Sequence, residues 1–168
     1  MNAPAAQALQ PEQLRRLCGF FATGVTVVLA EHAGERWGMT VNSFTSLSLD
    51  PPLVLFCAQT DSSVLRAIEA SGAFTVNILT SEQGEISGRL ARRGGSEKMQ
   101  GIETVRSSCG APRLAGALAW FECALESCRA AGDHQIVIGR VLDGGYREAG
   151  AEPLLFYRGA YRALRAPD

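Results

Sequence analysis

The apolar positions change period several times along the chain, and each change predicts an element. Residues 1–10 are rich in Ala and Gln without a repeating apolar pattern, so a disordered tail is expected. PEQLRRLCGFF has the spacing of a short helix, with Pro11 near its start, where a missing N–H costs least. The β-branched run at residues 24–30 predicts a first strand, HAGERW a turn, and Trp37 to Leu47 a second strand. Pro51 and Pro52 punctuate, and PLVLFCAQ then reads as a third, buried strand. DSSVLRAIEASG returns to helical spacing, with Asp61 or Ser62 to cap its start and Gly72 to close its end. AFTVNIL is a strand, SEQGEISGRLA a helix ending near Arg92 and Arg93, and RRGGSEKMQG a flexible loop.

The last third is β-rich. LAWFECALESCRAAGDH holds a strand that runs to a turn at Gly132-Asp133. QIVIGRVLDGGYRE is a strand with a turn at Gly144-Gly145, and EPLLFYRGAYRAL a strand and an ordered tail. Many short strands with two or three helices between them predict a barrel-like sheet with helical inserts, as one domain over residues 11–168.

One stretch breaks the usual economy of a strand. In MTVNSFTSLSLDPPLVLF, from Met39, six small polar side chains precede the first charge at Asp50. A solvated strand face would also carry Lys, Glu or Arg. Alternation sends Met39 and Val41 to one side and Thr40 and Asn42 to the other. Two readings follow: a hydroxyl-rich edge strand, or a neutral cradle for a flat heteroaromatic ring, with amides near Asn42 and Ser43 and hydroxyls at Thr45 and Ser46.

Composition narrows the partners. The chain has 168 residues and a net charge of −1, so no global field attracts nucleic acid or an anionic membrane. No apolar run approaches the roughly 20 residues needed to span a bilayer. Arg15-Arg16 before an apolar run mimics an export signal, but Thr23, Gly24 and Thr26 interrupt it. The 5 cysteines form no Cys-x-x-Cys pair, which suits free thiols in a reducing cytoplasm.

Three further constellations carry candidate chemistry. CAQTDSSVL runs from a buried strand into a helix start bearing Ser62 and Ser63, which reads as an N-cap or as a phosphate site. Asp133-His134 sits where a glycine turn enters a strand; Asp133 either orients the imidazole or caps the turn. No second His or carboxylate stands at ligand spacing, so no metal is expected. Tyr157, Arg158 and Tyr161 can stack on a base and grip a phosphate, or form a rim. With no Gly-x-Gly-x-x-Gly and no phosphate-binding Walker loop, a nicotinamide nucleotide would not be held by a Rossmann domain.

The order TGVTVV, GMTVNSFTSLSLDPPLVLF, DSS, FTVNIL, AGDHQIVIGRV, PLLFYRGAY resembles the short-chain flavin reductase family over about residues 15–162. These are the reductase components of two-component flavin-dependent monooxygenases. The resemblance implies a split β-barrel of the FMN-binding type, a homodimer, and reduction of FMN or FAD by NADH or NADPH. It implies that Thr40, Val41, Asn42 and Ser43 lie beside the flavin ring and ribityl chain, with Thr45 and Ser46 toward the phosphate. Ala58, Gln59, Thr60, Ser62 and Ser63 would complete that site, with Asn77 lining the same pocket. Ser87, Arg89 and Lys98 would face the outer phosphate or adenine side. His134 would position the nicotinamide nucleotide, and Tyr157, Arg158 and Tyr161 would border the flavin ring or that nucleotide. The family often has an aromatic residue after the basic loop position; here Met99 follows Lys98. The expected function is an NAD(P)H:flavin oxidoreductase that supplies reduced flavin to a partner monooxygenase. The alternative is a protein with tightly held flavin that carries electrons or reduces another acceptor directly.

Overall fold

The computed structural model describes residues 9–147 and 150–164, so most of the expected N-terminal tail lies outside the described residues. The first half contains α1 (Pro11–Cys18), β1 (Thr23–Gly24), β2 (Thr26–His32), β3 (Glu35–Val41), β4 (Thr45–Leu49), β5 (Pro52–Gln59), α2 (Ser63–Ser71) and β6 (Ala73–Ile78). The second half contains α3 (Gly84–Leu90), β7 (Thr104–Val105), β8 (Arg113–Leu114), β9 (Ala119–Ala131), β10 (His134–Tyr146), β11 (Leu155–Tyr157) and β12 (Ala160–Arg162).

Strand β2 organises the packing. Residues Val27 to Ala30 are fully buried, so this strand is covered on both faces and shows no polar alternation. Val28 and Ala30 join Phe56, Ile68, Phe74, Val76 and Val137 in one core, under α2. Val27 and Leu29 join Leu79, Leu90, Met99 and Leu114 in a second core, on the side of α3. Helix α2 forms because Val64, Leu65, Ala67 and Ile68 recur at helical spacing and are all buried. The Ser62 hydroxyl accepts from the Leu65 N–H at its start, and Gly72 ends it in the left-handed conformation at φ 72°.

Seven strands form one antiparallel sheet in the order β3-β2-β6-β9-β10-β5-β4. Its two outer strands, β3 and β4, are consecutive in the chain. The single strand expected over Trp37 to Leu47 is therefore two strands, parted at residues 42–44. The chain leaves one edge of the sheet there and joins the other. This crossing nearly closes a barrel, and one side chain bridges the gap. Strand β4 pairs with β5 only as far as Leu55, so the backbone of Cys57 has no strand partner on that edge. The Ser43 hydroxyl supplies one: it accepts from the Cys57 N–H at 2.9 Å and lies 3.3 Å from the Cys57 carbonyl. The small polar residues of this segment thus serve a split barrel, because a larger side chain at residue 43 could not imitate a strand neighbour.

Several boundaries differ from expectation for local reasons. The HAGERW turn contracts to Ala33-Gly34, both at positive φ, with His32 paired to Glu35. The expected loop at residues 92–101 contains a short 3₁₀ turn, Ser96–Met99, and Met99 plugs the second core. Gly144-Gly145 is not a turn. Strand β10 runs through both residues, opposite Phe121 and Trp120. A Cβ at Gly145 would lie 2.4 Å from the Trp120 ring, so glycine there makes room for an indole. The C-terminal strand and tail are a hairpin, β11 and β12, turning at Arg158-Gly159 and pairing with β1.

Candidate active site

The barrel gap opens into a cleft of about 530 Å³. The polar segment forms one wall, through Met39, Thr40, Val41, Asn42 and Ser43. The end of β5 and the start of α2 form the floor, through Cys57, Ala58, Gln59, Asp61, Ser62, Ser63, Val64 and Arg66. Residues 90–94 and Lys98 close the outer side, and His134 stands at the rim.

The inner half is neutral. Asn42 and Gln59 line it and are exposed, and among the described residues their side-chain amides make no hydrogen bond within the chain, which leaves their donors and acceptors available. Thr40 is fixed instead: its hydroxyl donates to the Ser87 carbonyl at 2.7 Å, tying the cleft wall to α3. The first backbone N–H groups of α2 open beside Ser62 and Ser63, an arrangement suited to phosphate.

The outer half is cationic. Arg66, Arg92, Arg93 and Lys98 line it against the single lining carboxylate of Asp61. The Lys98 ammonium donates to the Arg92 carbonyl at 2.9 Å, and burial pushes it below the ordinary lysine range, with Glu97 partly offsetting that. The Ser63 hydroxyl donates to the Gly94 carbonyl at 3.1 Å, which holds the 92–94 loop against α2. At the rim, Asp133 Oδ1 lies 2.7 Å from His134 Nδ1. That hydrogen bond holds the Asp133 carboxyl below its usual range. A carboxylate only accepts, so Nδ1 carries the proton and Nε2 is left for a ligand.

The cleft brings together ten residues that the sequence singled out: Thr40, Val41, Asn42, Ser43, Ala58, Gln59, Ser62, Ser63, Lys98 and His134. It leaves the others elsewhere. Thr45 and Ser46 lie on the exposed edge strand β4. The Thr60 hydroxyl donates to the Asp133 carbonyl at 3.1 Å and braces the turn before His134. Asn77 is fully buried, donating to the Val27 carbonyl and the Thr75 hydroxyl and accepting from the Leu114 N–H at 2.8 Å. Its amide is consumed inside the fold and lines no cleft. Ser87 is buried and accepts from the Tyr161 hydroxyl at 2.7 Å. Arg89 donates to the carbonyls of Lys98 and Gln100, shaping the loop rather than facing a ligand. Tyr157 and Arg158 belong to the C-terminal hairpin, where the Arg158 guanidinium covers the Phe20 ring at 4.8 Å. Met99, after Lys98, is a core residue.

Arg66, Arg92 and Arg93 are lining residues that the sequence reading passed over. Arg66 falls on the turn that follows the α2 cap, and Arg92-Arg93 precede two glycines. A basic pair on a glycine-rich loop was the available signal.

A cleft with a neutral inner wall, a helix start and a cationic mouth, set in the gap of a split barrel, suits a flat phosphorylated ligand. The chain belongs to the flavin reductase like domain family, whose model matches residues 18–165. It is 43% identical to the reductase subunit HsaB of a flavin-dependent monooxygenase from Rhodococcus jostii, over 99% of this chain and 84% of that one. It is 40% identical to the FMN reductase (NADH) SmoA of Agrobacterium fabrum, over 88% of this chain and 82% of that one. The solved NADH:FAD oxidoreductase SgcE6 of Streptomyces globisporus superposes with a TM-score of 0.85 at 38% identity, over 99% of this chain and 96% of that one. The split-barrel architecture is shared with these structural neighbours.

Proposed function

We propose that this protein is an NAD(P)H:flavin oxidoreductase that reduces FMN or FAD and supplies reduced flavin to a partner monooxygenase. The observation that carries the reading is the pair of unspent amides, Asn42 and Gln59, on a neutral cleft wall beside the free N–H groups of α2. The Asn42 amide matches a ring edge of carbonyls and nitrogens, the Gln59 amide a hydroxylated ribityl chain, and the α2 N–H groups a phosphate. The residues present therefore fit a flavin. When bound, it accepts a hydride from reduced nicotinamide, and the hard electronic chemistry is its own.

The chain's part is to hold and align. Thr40, Val41, Asn42 and Ser43 hold the ring, with Ala58 and Gln59 along the ribityl chain and Ser62 and Ser63 at the phosphate. The Asn42 side-chain amide, the neutral donor left free on this wall, favours the negative charge that reduction leaves on the ring. His134 presents Nε2 to the nicotinamide nucleotide and positions it. No side chain acts as a nucleophile. A flavin that must leave for a partner needs modest affinity; a Kd near 1 μM corresponds to about −8 kcal/mol.

On this reading the enzyme works in the cytoplasm as a homodimer. No residue of α1 is buried, and its Leu14 and Leu17, with Phe20 and Phe21 beyond it, leave an apolar face open. Light scattering on the purified chain checks this: a monomer mass at micromolar concentration excludes the dimer.

The test of function is anaerobic. Purified protein is mixed with NADH and excess FMN, then FAD, and nicotinamide absorbance is followed. Rapid loss with added flavin and little without it establishes the reductase. Flavin binding without NADH loss removes the reductase reading.

A further inference from the structure

The rim histidine stands at the end of a long ribbon of two strands. Strands β9 and β10 join through the turn Gly132-Asp133, with Gly132 at φ 65° and His134 paired to Ala131. The last pairing of β9 with β6 is Ala124 with Ala73, and the Leu125 N–H donates to the Gly72 carbonyl. Among the described residues, β9 from Glu126 onward therefore has β10 as its only strand neighbour. A ribbon end held from one side opens at low cost. On its other edge β10 pairs with β5, and that ladder ends where His134 lies opposite Gln59. One residue grips the turn past that end. Thr60 donates twice to the Asp133 carbonyl, through its N–H at 3.2 Å and its hydroxyl at 3.1 Å.

From that carbonyl the imidazole is one step away. Asp133 Oδ1 lies 2.7 Å from His134 Nδ1, and the Asp133 side chain is 92% exposed, so the backbone of the turn sets where the carboxylate stands. Thr60 itself is exposed and lies outside the cleft. Its neighbours Gln59 and Ser62 line the cleft, and the Ser62 N–H donates to the Gln59 carbonyl at 3.0 Å. One tight turn thus faces the cleft with its first and last residues and the histidine with its second. We propose that Thr60 is a positioning residue for the nucleotide: its hydroxyl fixes the Asp133-His134 turn, and through it the imidazole, without touching either ligand. The proposal rests on the reductase reading above, in which His134 meets the nucleotide. A single exposed hydrogen bond sets the scale of the effect at roughly a few-fold.

The experiment compares Thr60→Val, which keeps the shape and loses the donor, with Thr60→Ser, which keeps the donor, and combines Thr60→Val with His134→Ala. KM and kcat for NADH are measured with FMN saturating, FMN affinity by fluorescence titration, and folding by a thermal melt. Thr60→Val is expected to raise KM for NADH about threefold, with kcat and FMN affinity each within about twofold of wild type. Thr60→Ser is expected to restore KM. In the His134→Ala background, Thr60→Val is expected to change KM by less than about 1.5-fold, because a residue that acts through the histidine then has nothing to place. The same rise in KM with and without the histidine overturns the proposal. So does a selective loss of FMN affinity, which makes Thr60 a flavin ligand, or an unchanged KM with a lower melting midpoint, which makes it a brace for the turn alone. An unchanged KM in His134→Ala overturns it too, and all of these leave the reductase reading intact. Wild type that oxidises no NADH with added flavin overturns the proposal and that reading together.

Discussion

Two polar clusters sit a few strands apart in this molecule, and they behave in opposite ways. One lies beneath the segment that carries β7 and β8. There Asn77 spends its amide on Val27, Thr75 and Leu114, and the Thr75 hydroxyl donates to the Pro112 carbonyl at 2.6 Å. Glu122 belongs to the same region and accepts from both the N–H and the hydroxyl of Ser108. Asn77, Thr75 and Glu122 are buried, and each has its hydrogen-bond partners inside the chain. The other cluster is the cleft, where Asn42 and Gln59 are exposed and, among the described residues, keep their side-chain hydrogen-bonding groups free. The difference teaches how to separate the two roles of a polar residue in a β-rich fold. A closed network holds a segment in place; an open one holds a ligand.

The sharpest way to break the comparison is to cut the closed network. Asn77→Ala leaves the Leu114 N–H and the Val27 carbonyl with fewer partners in a fully buried site. The expected loss is about 3 kcal/mol, seen as a lower midpoint in urea, with flavin affinity of the remaining folded protein nearly unchanged. A strong, selective loss of flavin binding would instead place Asn77 in the site.

Alkaline pH probes the same buried region. Cys123 is fully buried, and burial pushes its thiol from 9.0 up to about 12. The native state therefore keeps this proton where the unfolded chain releases it. The associated stability is fully present below about pH 9 and is lost as pH rises toward about 12. Cys123→Ala should lower stability at all pH values through the lost packing, yet show a shallower decline above pH 9. Parallel alkaline declines in the two proteins would exclude the thiol as a cause.

Asn42→Ala tests the open network. Stability should change by less than about 0.5 kcal/mol, because no internal bond is lost. Flavin affinity should fall roughly tenfold, which is about 1.4 kcal/mol. An Asn42→Ala protein that binds flavin as before and melts earlier would reverse the contrast between the two clusters.

Much of this was legible in the chain. Periodicity gave α2 and β5 nearly to the residue, because both bury one regular face against a single core. The polar crowding after Met39 falls on one wall of the cleft, but the pattern conceals why it is there. Local pattern cannot show that residues 42–44 pass from one sheet edge to the other, since the partner that makes Ser43 necessary, Cys57, is 14 residues away. Asn77 misled for a related reason. Its β-rich neighbourhood looks like that of a pocket residue, and only the distant Leu114 N–H shows that its amide is taken. The glycine pair at residues 144–145 reads as a turn until Trp120 is brought opposite it. In each case the deciding partner is remote in sequence. Short-range signals therefore fixed element types better than they fixed which polar groups remain free.

The rim histidine is the smallest and most specific of these tests. His134 faces the cleft mouth from the start of β10, and Asp133 sets which of its nitrogens carries the proton. On the proposed function His134 positions the nucleotide rather than the flavin ring, so the two ligands should respond differently. His134→Ala is expected to raise KM for NADH several-fold, on the order of 1 kcal/mol, while flavin affinity moves less than twofold. Asp133→Asn should give a smaller effect in the same direction. An amide donates to Nδ1 and moves the ring proton to Nε2, so the imidazole stays in place but offers the nucleotide a donor instead of an acceptor. If the nucleotide is held by its carboxamide N–H, that exchange weakens it. If a phosphate oxygen is held instead, the exchange leaves KM unchanged or lowers it. Steady-state KM for the two variants, measured with FMN saturating, thus separates a histidine that accepts from one that donates. Unchanged KM in His134→Ala would remove the residue from nucleotide binding altogether.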